Sequence, residues 1–182
     1  MGRDEDVTSY RVSPQRDVLP DPHWWLTKDG DKDCLALYER HYSCNHYADG
    51  RKRSQFVGPG AHIVLRTIAA DALFVWRDYI DDTIPKQEGI ECAVFRNEGP
   101  VLSSELIRQG DAVADHVWPR QRHYTKVNAA AVRSTNAGFC FLAAGWRRAG
   151  KTKGGLLILE RLADTRGEAN PNSAQAEGTS HE

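Results

Sequence analysis

The chain has 182 residues, a formal net charge of −1 and 40% hydrophobic residues, with five Trp, six Tyr and five Phe among its large side chains. This length and composition predict one folded domain with an apolar core. No apolar run approaches the roughly 18 to 20 residues that span a bilayer, and the first ten residues lack the apolar stretch of a signal peptide. We therefore expect a cytoplasmic protein that does not associate with membranes.

The two ends of the chain differ in composition from the middle. Residues 1–22 are polar, contain Pro14, Pro20 and Pro22, and show no sustained periodicity, which predicts a flexible leader. Residues 163–182 have the composition of a disordered tail. The folded domain is therefore expected over residues 23–162, and we find no internal repeat in it.

The first half of this domain predicts one helix and three strands. The segment KDCLALYERHYS indicates a short helix that is capped by Asp33 and ends near His41. AHIVLRT and DALFVWRDY are rich in β-branched and aromatic residues, and the short turn between them predicts an antiparallel hairpin. IECAVFRN, after the loop DTIPKQEG, is the third predicted strand.

The second half begins with a change to helical period at Ser103. Ser103 or Ser104 can cap this helix, and Pro119 ends it. RHYTKV then alternates as a strand, NAGFCFLAAGW predicts a brief helix that ends at Gly145, and GGLLILER is the last strand. The element order predicts an α/β or α+β sheet with helices packed on it.

Positive charge is concentrated in two segments. Residues 116–159 contain no acidic side chain, and a second basic segment lies at residues 50–53. If the two segments meet in the fold, they form a positive face suited to phosphates; otherwise they are ordinary solvated surface. The predicted nucleic-acid-binding residues are Arg51, Lys52, Arg53, Arg147, Arg148, Lys151 and Lys153.

The four cysteines show no CxxC spacing. Metal sites usually contain such short spacings, so we expect no metal site and interpret the cysteines as reduced, packed side chains.

The segment FRNEGPVLSSELI joins a predicted strand to a predicted helix through a loop that contains glycine. The free backbone amides at such a helix start bind anions. Arg96 lies at the end of the strand and can clamp the same phosphate, and Ser103 and Ser104 can donate hydroxyl groups. Many strand-to-helix turns contain glycine without binding a ligand, so an ordinary turn remains the alternative.

The order of elements and two motifs resemble the GNAT superfamily of acyl-CoA-dependent N-acyltransferases. Arg96 to Gly99 matches the first half of the pattern R/Q-x-x-G-x-G/A, in which Val101 stands at the second small position. Asn136, Phe141, Gly145 and Trp146 are similar to the late motif. The resemblance implies a GNAT-like single domain, α+β, with a central mixed, mostly antiparallel sheet flanked by helices. It also implies acetyl-CoA or another acyl-CoA as cofactor, bound by Arg96, Asn97, Gly99, Ser103 and Asn136.

A narrower resemblance is to bacteriophage Mom-type proteins, which modify the exocyclic amine of adenine in DNA. It rests on His41 and Tyr42 in RHYS, on Ser104 in LSSELI, and on GFCFLAAGW. It implies an N-acyltransferase-like enzyme that modifies a nucleobase amine, protects DNA from restriction and acts in a bacterial or phage-infected cell. DNA is then the expected partner.

The catalytic roles follow from this resemblance and from the chemistry of the side chains. His41 suits a base, Tyr42 can hydrogen-bond or stack on a flat substrate, and Ser104 can orient the amine. Phe141 has no hydroxyl to protonate a leaving thiolate, which makes Tyr124 the next candidate. Packing roles stay open for His41, Tyr42 and Tyr124, and Asn136 can simply cap the late helix.

Two other functions remain open at this stage. One is a GNAT-shaped protein that binds nucleic acid or a nucleotide without catalysis. The other is an ordinary small-molecule or protein N-acetyltransferase. The sequence also leaves open whether the protein is a monomer or a homodimer.

Overall fold

A computed structural model describes residues 22–80, 82–132 and 134–163. The predicted leader lies outside the described residues except for Pro22. The predicted tail does so except for its first residue, Ala163, and Arg133 is also outside them.

The described residues form one α+β domain around an open seven-stranded sheet. Its strands are β1 (Trp24–Thr27), β2 (Ala61–Thr67), β3 (Ala72–Asp78), β4 (Ile90–Asn97), β5 (His123–Val127), β6 (Arg147–Lys151) and β7 (Leu157–Arg161). Their order in the sheet is β1-β2-β3-β4-β5-β7-β6. Only the β4–β5 pair is parallel. The expected α+β fold with a mixed, mostly antiparallel sheet is confirmed.

Three helices in the described part of the chain cover this sheet: α1 (Lys32–Glu39), α2 (Ser103–Val117) and α3 (Phe139–Ala143). The larger apolar cluster joins α2 and α3 to one face of the sheet, which we call the α2 face. This cluster includes Trp24, Phe74, Trp76, Leu106 and Phe141. A second cluster joins α1 to the opposite face, the α1 face, through residues such as Leu37, Val64, Val75 and Val94. Both faces of the central strands are therefore buried, as their continuous apolar runs require.

Two strands are present that the sequence pattern did not predict. β1 is only four residues long, and its WWLT sequence has too few positions for an alternation to be recognised. All five residues of β6 are exposed, and its sequence RRAGK has no apolar side to indicate a strand. β6 forms because it pairs with β7 at the edge of the sheet, where charged side chains are common.

The helix caps differ from the predicted ones. Asp31, not Asp33, caps α1, because its carboxylate accepts hydrogen bonds from the amides of Asp33 and Cys34, each at 3.0 Å. The N-cap of α2 is Leu102, which provides no side-chain bond, so neither serine caps this helix. The N-cap of α3 is Gly138, whose φ of 78° suits glycine. Asn136, the expected cap of this helix, is therefore not its N-cap residue.

Within residues 22–80, 82–132 and 134–163, none of the helices is long and apolar enough to cross a membrane.

Candidate functional site

The sheet opens between its two parallel strands. β4 and β5 pair only at Ile90 with His123, Glu91 with Tyr124 and Cys92 with Thr125. β4 continues to Asn97 and β5 to Val127, but beyond the last pair each strand bonds only to its outer neighbour. We call the resulting gap the β4–β5 wedge. It leaves backbone amide and carbonyl groups of two strands without a strand partner, and such groups can bind an extended ligand that carries amides.

An irregularity in β4 marks the start of this wedge. Trp76 of β3 pairs with Cys92 and Val75 pairs with Val94, so Ala93 is an extra residue in β4. A bulge of this kind bends its strand and increases the local twist. It lies directly after the last β4–β5 pair, at Cys92, and sequence patterns do not reveal it because Cys92, Ala93 and Val94 are all small or apolar.

Tyr42 extends from the segment after α1 to the wedge. Its hydroxyl donates to the carbonyl oxygen of Lys126 in β5 at 3.4 Å, and its ring centroid lies 4.2 Å from that of His41. Burial raises the pKa of the Tyr42 phenol above its usual value, and the thiols of Cys92 and Cys140 act in the same direction. The phenol is therefore protonated at neutral pH and stands close to β4, β5 and α3.

Hydrogen bonds join the ring of His41 to its surroundings. Its Nδ1 accepts from the Ser43 amide at 3.2 Å and lies 2.8 Å from the Ser43 hydroxyl, and a further bond joins the ring to the backbone of Phe95 in β4. Burial and then the charge of Arg96 lower the pKa of His41 to about 4. Burial and Arg96 thus keep the imidazole neutral at neutral pH, although the bond to the Phe95 backbone acts in the opposite direction.

The loop between β4 and α2 is held closed by Asn97. Its side-chain amide donates to the Val101 carbonyl at 2.7 Å and to the Ser103 hydroxyl at 3.0 Å, while its oxygen accepts from the Gly99 amide. Gly99 is required for a reason other than phosphate approach: a Cβ there would lie 2.3 Å from the Asp71 carboxylate. Asn97, Gly99 and Ser103 thus meet in one loop, where Asn97 sets the backbone.

Arg96 points to the other side of the strand. Its guanidinium pairs with Glu98 and also donates to the Arg40 carbonyl, and Arg40 pairs with Glu98 as well. The hydrogen bonds from Arg40 first, and then those from Arg96, lower the pKa of Glu98 to about 2. Arg96 therefore joins β4 to the end of α1, and the predicted phosphate clamp is already paired with a carboxylate.

The start of α2 presents free backbone donors. In the described part of the chain the amides of Ser103 and Ser104 have no hydrogen-bond acceptor, and no side chain caps this helix. The adjacent Leu102 is 71% exposed. A 15-residue helix whose first amides are open can accept an anion.

Tyr124 lies on the α1 face of the sheet and is fully buried. It belongs to the same face as a buried charge cluster in which Glu91 accepts from Arg77 at 2.6 Å and pairs with Lys126 at 3.1 Å. Its hydroxyl is therefore remote from solvent. The sequence patterns did not predict this cluster. Each of its charged residues lies next to an apolar residue in β3, β4 or β5, and such a pattern can indicate a buried charge.

The segment that precedes α3 also differs from expectation in its contacts. The side-chain oxygen of Asn136 accepts from Arg148 at 2.9 Å, which joins the α3 loop to β6. Phe141 is buried against Phe95 and Trp146, with ring centroids 5.8 and 4.9 Å away. α3 thus closes the α2 face beside the wedge through packing.

The two basic segments do not meet. Residues 51–53 line a cavity with His62 of β2, whereas residues 147–153 lie in and after β6. β6 is five strands from β2 in the sheet, which is roughly 24 Å at about 4.8 Å per strand. Arg147 is also paired with Glu160 at 2.7 Å. A single continuous positive face is therefore not formed.

A buried polar network lies at the opposite end of α2. The carboxylate of Asp111 accepts from the Trp146 indole at 2.9 Å and lies 2.9 Å from Nδ1 of His123, which is fully buried. Asp115 lies on the other side of the His123 ring and pairs with Arg161. This network joins α2, β5 and β7 to the turn between α3 and β6, and its burial gives it a structural role.

The described residues contain no group of three or more His, Cys, Asp or Glu side chains placed to hold a metal ion. Compared with models of known protein families, with curated proteins and with solved structures, the chain gives no significant match.

Proposed function

We propose that the protein is an N-acyltransferase of GNAT type that transfers an acyl group from acyl-CoA to an exocyclic amine of a nucleobase in DNA, as Mom-type proteins modify adenine. The observation that carries this proposal is the β4–β5 wedge, with Tyr42 at its edge and the start of α2 beside it. The choice of acyl-CoA and of a nucleobase amine comes from the sequence resemblance described above.

The wedge and the α2 start together suit the parts of an acyl-CoA. The arm of coenzyme A is narrow and contains two amides, which can bond to backbone groups of β4 and β5 that have no strand partner and that Tyr42 and His41 do not occupy. Its diphosphate can bind the open amides of Ser103 and Ser104, and its apolar parts can contact the exposed Leu102. Asn97 maintains the loop that orients these amides.

The chemical step requires a proton donor more than a base. The exocyclic amine of a nucleobase is uncharged at neutral pH, so it can attack the thioester carbonyl directly. The new N–C bond forms, the C–S bond breaks, and the departing thiolate takes a proton from Tyr42. The amine then loses one proton through water, which restores the phenol. We assign this role to Tyr42 and not to Tyr124, because Tyr124 is fully buried.

Backbone amides of β4 that face the wedge can polarise the thioester carbonyl, as donors placed where negative charge develops lower a barrier. Ser104 lies at the helix start, where the diphosphate binds in this arrangement, so its hydroxyl would help to hold the donor and would not reach the amine. A base inside a duplex must be flipped out, or presented on a single strand, before its amine reaches such a wedge.

The test is nucleoside mass spectrometry after incubation of DNA with the protein and isotope-labelled acetyl-CoA or other acyl-CoA donors. We expect a labelled adduct on one base with the wild type and a large loss of it with Ser104→Ala. Absence of any adduct, from every donor tested and also from DNA of cells that express the protein, would rule out the proposal.

A second candidate function is nucleic-acid binding without catalysis. The pairing of Arg96 with Glu98 and the bulky Val101 in the loop favour it, since both reduce the attraction of this loop for a diphosphate. In that case DNA binds with a steep salt dependence, and acyl-CoA does not change the melting temperature of the protein.

A further inference from the structure

The segment that follows Tyr42 forms a charged ridge between two cavities. The larger cavity, about 540 Å³, and the smaller, about 250 Å³, share Tyr47, Arg51, Lys52 and Arg53 in their linings. We call these four residues the basic ridge. Both cavities are open, so the ridge can be reached by a large ligand from either side.

The two guanidinium groups of the ridge are held over one aromatic ring. Arg51 lies 4.1 Å and Arg53 4.9 Å from the ring centroid of Tyr47, and Arg53 also donates to the Asn45 carbonyl at 2.7 Å. Cation–π contacts of this kind orient a guanidinium without neutralising it. The ridge is therefore ordered before a ligand binds, which reduces the entropy lost on binding.

In the part of the chain that the structure describes, two of the three cations of the ridge have no carboxylate partner. Asp49 pairs with Arg51 at 3.4 Å, but no ion pair joins Lys52 or Arg53 to a carboxylate in the described residues. The carboxylate of Asp29, in the larger cavity, is occupied by the amides of Phe56 and Val57. Such exposed, oriented cations suit phosphate oxygens, which guanidinium groups bind through paired donors.

We infer that the basic ridge is the docking site for the phosphodiester backbone of a nucleic acid, and that β6 is not part of this site. The ridge begins five residues after Tyr42 in the chain, so a short segment connects it to the residue that reaches the wedge. An extended backbone is favoured over a single small anion because the three cations are consecutive in the chain and a cavity opens on each side of the ridge. This inference deepens the proposed function by placing its substrate.

The experiment measures fluorescence anisotropy of a labelled 20-nucleotide single strand and of the matching duplex, over a range of salt concentrations and without any acyl donor. Replacing all three ridge cations by alanine should weaken binding about tenfold or more. For the single strand the slope of log affinity against log salt should fall by about 2, since each phosphate contact contributes roughly 0.7. Lys52→Glu alone should act in the same direction, and Lys52 makes no hydrogen bond or ion pair in the described residues, so its change does not disturb the fold.

Two further comparisons make the result specific. Tyr47→Leu should weaken binding about two- to fivefold, whereas Tyr47→Phe, which keeps the ring, should bind as the wild type does. A control that removes three exposed lysines elsewhere, Lys28, Lys32 and Lys86, should leave the salt slope within about 0.5 of the wild type.

Three results would overturn the inference. The first is unchanged affinity and salt slope in the ridge variant; the second is loss of binding only when Arg148, Lys151 and Lys153 of the β6 region are replaced. The third is displacement of the labelled strand by AMP or pyrophosphate at an equal concentration of phosphate groups, which would indicate a small-anion pocket. Because no donor is present, failure here is distinct from failure of acyl transfer.

Discussion

The hydroxyl of Tyr42 lies 3.4 Å from the carbonyl oxygen of Lys126, just past the last residue pair that joins β4 to β5. A residue from the segment after α1 thus reaches the place where the sheet has opened. It brings a protonated phenol to this site. Neighbouring elements provide no such group, since Tyr124 of β5 is buried and Phe141 of α3 has no hydroxyl.

Replacement of Tyr42 by phenylalanine should lower kcat for acyl transfer by about 100-fold or more, because general acid catalysis typically contributes 10² to 10⁴. Affinity for acyl-CoA should change less than about twofold, since the ring and its contact with His41 are kept. Steady-state kinetics and isothermal titration calorimetry provide the two measurements. Burial raises the pKa of Tyr42, so the wild-type rate should persist to a more alkaline pH than an ordinary tyrosine allows.

The control for this prediction is Tyr79→Phe, which keeps the ring that stacks on Arg77 at 3.7 Å and should leave kcat unchanged. The assignment of Tyr42 fails if Tyr124→Phe abolishes turnover while Tyr42→Phe preserves it.

His41 should make folding stability fall as the solution becomes acidic. Its pKa is about 4 in the folded protein and about 6.5 in the unfolded chain, so the unfolded chain binds more protons between these values. The stabilisation is complete above about pH 6.5 and is lost as the pH falls towards 4. Its upper bound is roughly 3 to 4 kcal/mol, at about 1.4 kcal/mol per pKa unit.

Urea denaturation at a series of pH values checks this. His41→Gln should flatten the pH dependence in this window, whereas His116→Gln, at an exposed position in α2, should not. Glu98, whose pKa is about 2, contributes its own loss at lower pH. Equal slopes for wild type and His41→Gln between pH 4 and 6.5 would show that the burial of His41 has no thermodynamic effect.

Gly99→Ala should destabilise the protein by about 1 to 3 kcal/mol, because the added methyl group meets the carboxylate of Asp71. The cost should be smaller in an Asp71→Ala background, where the clash is removed. A double-mutant cycle by thermal or chemical denaturation measures this coupling. Additive effects of the two changes would mean that Gly99 is needed for a reason other than this contact.

Asp111→Ala should reduce the free energy of unfolding by about 3 to 5 kcal/mol. The carboxylate is 3% exposed and bonds both the Trp146 indole and His123, so its removal leaves two buried groups without a partner. Asp115→Asn, at a half-exposed position, should cost less. The fluorescence of Trp146 should shift with the change, and a cost below about 1 kcal/mol would show that this network adds little.

Part of the candidate site was accessible from the sequence. The alternation in β4 and the change to helical period at Ser103 predicted the strand-to-helix junction where Asn97, Gly99 and Ser103 meet. The long-range contacts of this junction were not accessible, because Asp71, next to Gly99, and Arg40, which bonds Arg96, come from distant parts of the chain. Arg96 illustrates the difference: its place at the end of the strand was predicted, but its pairing with Glu98 is decided by the side of the strand on which it lies.

Local residue patterns by themselves determined the α+β class, most of the helices and strands, and the basic character of residues 50–53, since each depends on periodicity or composition over a few neighbours. Tertiary structure alone decided the edge strand β6, the opening beyond Cys92 and the approach of Tyr42 to Lys126. It also separated the two basic segments, because their distance depends on the strand order, in which β7 lies between β5 and β6. Pairing between strands far apart in the chain is a property of the whole sheet, and no short segment contains it.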